Sequence, residues 1–135
     1  MAARHANRIL LVDNDEMMLD ILKIALKGCG YKLLVARDGM EAMQSVLKQE
    51  PDLIIMELML PVLDGLRLLR WLRNEQLSAL PVMVFTALDR PGVCDAVTGL
   101  GVAELVYKPI GRSELLRRVR KLLPAPQSAV VAASD

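Results

Sequence analysis

Five short apolar runs constrain this chain more than any other feature: RILLV (8–12), YKLLVA (31–36), DLIIM (52–56), PVMVF (81–85) and ELVY (104–107). Each has the length of a strand, and most are apolar without alternation, as expected of strands buried on both faces. The segments between them carry a helical period. Met18, Ile21, Leu22 and Ala25 share a face in 15–28. In 112–123, Leu115, Leu116, Val119, Leu122 and Leu123 form a stripe opposite Arg112, Arg117, Arg120 and Lys121. Asp38, with Glu41 three residues on, reads as a capping box opening a second helix, and a third starts near Asp64. A fourth, over about 89–100, is eroded by Pro91, Gly92 and Gly99. The fivefold alternation predicts one α/β domain, a doubly wound five-stranded parallel sheet with helices on both faces.

With 135 residues, 53% hydrophobic and 24% charged, the chain can bury a core of its own without cross-links. Aromatics make up 3%, so that core is aliphatic. A net charge of +1 gives no bulk field for nucleic acid or membrane, and no apolar run approaches the ~20 residues that span a bilayer. ILLV is too short for a signal-peptide core, and a cytoplasmic location is expected. Residues 1–6 read as an N-terminal tail and 124–135 as a tail or linker. Cys29 and Cys94 share no metal-type spacing and are expected to be small buried thiols. The single histidine, His5, excludes a histidine-based triad or a zinc cluster.

In such a sheet, ligands collect outside the carboxyl ends of the strands. The sequence sets Asp13, Asn14 and Asp15 after the first strand and Glu57 at the end of the third. Thr86 follows the fourth, and Lys108, before Pro109, follows the fifth. Carboxylates and an amide can hold Mg2+ by oxygen, an ammonium can neutralise anionic oxygens, and a hydroxyl can donate to one of them. Singly these residues have plainer explanations, a helix cap for the aspartate and a surface position for the threonine or lysine. Jointly, in order on four strand ends, they suit a phosphoryl group.

On LLVDND (10–15), DLIIMELMLPVLDG (52–65), FTA (85–87) and YKPI (107–110), the chain resembles the receiver domain of bacterial two-component response regulators, over about residues 7–123. The resemblance implies a flavodoxin-like (βα)5 fold with strand order 2-1-3-4-5. It implies Mg2+-dependent phosphoryl transfer from a sensor-kinase histidine to an aspartate ending the third strand. Output would follow from altered partner binding through the fourth helix, fifth strand and fifth helix, in a signalling module rather than an independent enzyme.

Two departures bear on that chemistry. The phosphoacceptor aspartate falls on Glu57, whose carboxylate reaches roughly 1.5 Å further. Near-in-line attack tolerates little displacement, since a misplacement of about 1 Å can cost on the order of 100-fold. The residue that ligates Mg2+ directly aligns with Asn14, a neutral ligand, so a metal site built on Asp13, Asn14 and Glu57 is weakened. The reading is therefore an atypical, phosphorylation-independent receiver. Its Glu57 either mimics the phosphorylated state by reaching Lys108 and Thr86 or lies inert, and retention of both contact residues favours the first. The alternative is a phosphorylatable receiver using another acid, Asp13 being nearest.

A third departure concerns the switch. Its aromatic aligns with Leu105, and Tyr107, two residues on, shares that strand face. Glu104 and Arg118 fit the charge pattern of a homodimer through the output face, with Asp95 a further acid. Expected partners are a histidine kinase or a downstream effector. Direct nucleic-acid contact is not expected, because no helix-turn-helix is present and Arg67, Arg70 and Arg73 read as a solvated face. The fourth helix is apolar at Val93, Cys94, Ala96, Val97 and Leu100, partly as core and with scope for a partner patch.

Overall fold

A computed structural model describes residues 7–124, so the expected tails fall outside it, Pro124 apart. The strands are β1 (Arg8–Val12), β2 (Lys32–Ala36), β3 (Leu53–Met56), β4 (Val82–Thr86) and β5 (Glu104–Tyr107). The helices are α1 (Glu16–Leu26), α2 (Gly39–Gln49), α3 (Gly65–Arg70), α4 (Val93–Gly99) and α5 (Arg112–Leu122), and α3 runs on into a π turn, Trp71–Glu75. All neighbouring strands pair in parallel, in the order β2-β1-β3-β4-β5. The chain therefore has the flavodoxin-like (βα)5 fold.

Alternate strand residues feed two separate cores. Ile9, Leu11, Leu53, Ile55, Met83, Phe85 and Val106 meet α1 and α5 through Leu19, Leu22, Leu26, Leu115, Leu116 and Val119. On the opposite face Leu10, Val12, Ile54, Met56, Val82 and Val84 meet Ala42, Leu68, Leu69, Trp71, Leu72, Val93 and Val97 of α2, α3, its π turn and α4. The register aligns the strand ends: Val12 lies beside Ala36 and Met56, and Thr86 beside Tyr107.

Local chemistry sets the helix starts. Asp64 accepts from the Arg67 amide at 2.9 Å and Asp38 from the Glu41 amide at 2.8 Å. The Glu41 carboxylate closes back onto the Arg37 amide (3.0 Å), one residue before the expected position of the box. Three expectations need correction. The fourth helix starts only at Val93, because Gly92 adopts φ +90° ahead of it and Pro91 precedes that. On α1 the buried face is Leu19, Leu22, Ala25 and Leu26, and Ile21 is 49% exposed. Cys29 is buried as expected, but Cys94 is exposed.

Candidate functional site

The carboxyl ends of β1, β3, β4 and β5 bring Asp13, Glu57, Thr86 and Lys108 together. Asp13, Glu57 and Thr86 are buried, at 3%, 5% and 0% exposure. The Glu57 amide is held by the Val12 carbonyl (2.9 Å) and the Lys108 amide by the Thr86 carbonyl (2.8 Å). Main-chain bonds between strand ends thus fix where each side chain starts.

Lys108 lies between the two carboxylates. Its ammonium donates to Asp13 Oδ2 at 2.8 Å and to Glu57 Oε1 at 2.9 Å, and stands 5.6 Å from the centre of the Phe85 ring. Glu57 Oε2 accepts from the Thr86 hydroxyl, from the Leu58 amide at 2.7 Å and from the Met59 amide at 3.2 Å. Thr86 Oγ1 in turn accepts from the Leu88 amide at 3.0 Å, and Asp13 Oδ1 from the Asp15 amide at 3.0 Å. Among the described residues no buried side-chain polar atom lacks a partner.

Burial pushes the Glu57 carboxyl up, but the bonds from Thr86, Lys108 and the Met59 amide outweigh it and hold the group below the ordinary carboxylate value. Burial pulls the Lys108 ammonium down, and its bonds to Asp13 and Glu57 more than reverse that. Both groups are held charged at neutral pH.

The arrangement tests the expected metal set. Every carboxylate oxygen of Asp13 and Glu57 already accepts a hydrogen bond, and the Lys108 ammonium lies between the two groups. Asn14 is exposed and neutral. Among the described residues no three acidic, histidine or cysteine groups form a metal-holding cluster. Of the expected metal set, Asp13 and Glu57 thus share their oxygens with the Lys108 ammonium and main-chain amides, and Asn14 brings no charge.

Leu105 is partly buried against the core beneath α4, and Tyr107 sits 40% exposed on the rim. On the face expected to carry output, Glu104 pairs with Arg118 inside the chain at 2.7 Å, and Arg118 also holds Glu114 at 2.9 Å. Asp95 is exposed in the first turn of α4 and bonds neither of them. On that helix Val93 and Val97 are core, as expected in part, while Cys94 is exposed and Ala96 and Leu100 are half-buried. The Leu58 and Met59 amides and the Phe85 ring were not among the expected site residues. Backbone donors carry no residue-type signal; the phenylalanine one residue before Thr86 was the only available clue.

The chain matches the model of the response regulator receiver domain over residues 9–120. It is 40% identical over 118 residues to the response regulator MprA of Mycobacterium leprae, a match covering 86% of this chain and 50% of that protein. The chain thus spans about half the length of the curated relatives it matches. Among solved structures, the receiver domain of a signal transduction histidine kinase from Syntrophus aciditrophicus superposes with a TM-score of 0.78 at 32% identity, covering 87% of this chain and 90% of that one. A receiver domain of a sensor histidine kinase from Pseudomonas aeruginosa, described with magnesium in its active site cleft, gives 0.75 at 28% identity, covering 87% and 97%. Fold, strand-end chemistry and sequence agree: the chain belongs to the response regulator receiver family.

Proposed function

We propose that this receiver signals without phosphoryl transfer at residue 57, its Glu57 carboxylate taking the place of the phosphoryl group. One observation carries the reading: the two oxygens of Glu57 are divided between the Thr86 hydroxyl and the Lys108 ammonium. An aspartate at this position ends one methylene short of that arrangement. The glutamate therefore occupies with its own oxygens the donors that an incoming phosphoryl group would need. The same engagement of Asp13 and Glu57, with a neutral Asn14, leaves Mg2+ weakly held.

On this reading the domain is a cytoplasmic, non-enzymatic module that acts through protein contacts with a kinase or an effector. Among the described residues no helix is long and apolar enough to cross a membrane. Asp13 is a poor substitute acceptor, since Lys108 and the Asp15 amide hold both its oxygens.

The test is intact mass after incubation with Mg2+ and acetyl phosphate. No phosphoryl addition is expected on the wild type, and addition is expected on Glu57→Asp. Addition to the wild type would overturn the proposal; addition abolished by Asp13→Asn would identify the alternative acceptor.

A further inference from the structure

Of the three arginines at helical spacing on the third helix, Arg73 is absorbed by the fold. It donates to the Leu100 carbonyl at 2.8 Å, to Ser78 at 3.0 Å and to Gly101 at 3.2 Å. Arg67 and Arg70 are exposed, and neither guanidinium has a partner among the described residues. They stand over a cleft of about 300 Å3 between α2 and α3, walled by Met40, Met43, Leu63 and Trp71.

The α2 wall continues past the cleft. Met40 is 44% exposed and Leu47 58% exposed, and with Met43 they follow the i, i+3, i+7 spacing of one helical stripe. The walls are fixed relative to each other. Gly39, at the start of α2, approaches the β3–α3 loop so closely that a Cβ there would lie 2.0 Å from the Leu63 carbonyl oxygen. Opposite, the Gln76 amide bonds the Trp71 carbonyl at 2.9 Å, the wide turn that carries the indole at the cleft.

We propose that this cleft docks an amphipathic helix of a partner protein whose apolar stripe is flanked by carboxylates. Methionine side chains adapt to a ligand surface, and arginine is among the residues that interfaces concentrate. Two unpaired guanidiniums on one rim call for acidic flanking residues. Glu75, which also lines the cleft, offsets only one of the two charges, so the lining keeps a net positive charge. A nucleic acid fits less well. Trp71 is only 9% exposed and offers no ring face for a base, and two cations track little backbone. The cleft shares no residue with the Glu57–Thr86–Lys108 network, so the inference does not depend on how that network signals.

The experiment titrates the full chain with a synthetic helical peptide of about 18 residues bearing a Leu/Phe stripe flanked by glutamates, and with its lysine-flanked counterpart. Emission of Trp71, the only tryptophan, is the readout. At low salt the glutamate peptide is expected to shift that emission and to bind about ten-fold more tightly than the lysine peptide. R67E/R70E is expected to reverse the order while leaving the circular dichroism unchanged. Met40→Ser should weaken both peptides. The proposal is overturned if neither peptide binds, or if the preference survives the double charge reversal. Binding of a single-stranded oligonucleotide, or self-association, that R67E/R70E abolishes would equally overturn it, by naming a different occupant.

Discussion

A single oxygen of Glu57, Oε2, accepts from one hydroxyl and two backbone amides, while Oε1 faces an ammonium. That concentration of donors decides the protonation state against burial, and its sign gives a test. A carboxyl held below its unfolded value contributes stability that is complete above that value and is lost as pH falls through the folded one. Wild-type urea midpoints should therefore drop below about pH 4.5, where unfolded glutamates begin to protonate. Glu57→Gln should remove part of that slope, because the amide cannot titrate. Equal slopes would mean that the network does not hold Glu57 charged. At this scale the acid, the threonine and the lysine were all legible from the sequence. That the carboxylate curls back onto the Leu58 and Met59 amides was not, since main-chain donors are the same at every residue.

At the scale of elements, the β3–α3 turn does most to position the site, and it carries a cost. Val62 sits at φ +70°, a left-handed conformation that a β-branched side chain rarely adopts, and it is 77% exposed, so packing returns little. Gly65 closes the turn where a Cβ would lie 2.7 Å from Leu58 Cα and 2.8 Å from the Glu57 carbonyl oxygen. Val62→Gly should raise stability by about 1 kcal/mol in chemical denaturation, and an unchanged or lower midpoint would show that the turn is not strained there. The strands and the Asp38 and Asp64 caps were legible because one physical signal dominated each. The face of α1 was legible only in part, with Leu22 and Ala25 buried and Met18 packed against the core but Ile21 outside. Met17, Met18, Leu19, Ile21, Leu22, Ile24, Ala25 and Leu26 leave too few polar residues to mark the outside, and packing against β1 and α5 chose Leu22 rather than Ile21. The π turn at Trp71 likewise has no marker in sequence, since WLRNE reads as ordinary helix.

Across the whole molecule, the buried site reaches the surface through Thr86. Its hydroxyl oxygen bonds Glu57 on one side and accepts the Leu88 amide on the other, in the segment that leads into α4. That helix is short, starts without a side-chain cap and buries only Val93 and Val97 of its own residues. The Arg73 bonds to Leu100 and Gly101 hold its far end, so its first turn depends most on the segment from Thr86. If the Glu57 carboxylate sets the output face, weakening its bond to Thr86 should loosen 88–99 while leaving β1 and β3 alone, whose residues are at most 1% exposed apart from Arg8. Glu57→Gln should then speed amide exchange in 88–99 by about five-fold, the worth of one hydrogen bond of about 1 kcal/mol. Thr86→Ala should do so at least as strongly, because it also strands the Leu88 amide. Protection that is unchanged in 88–99 in both variants would separate the pocket from the output face. It would leave Glu57 as a structural plug, and the domain as a scaffold whose partner surfaces are fixed by the fold alone.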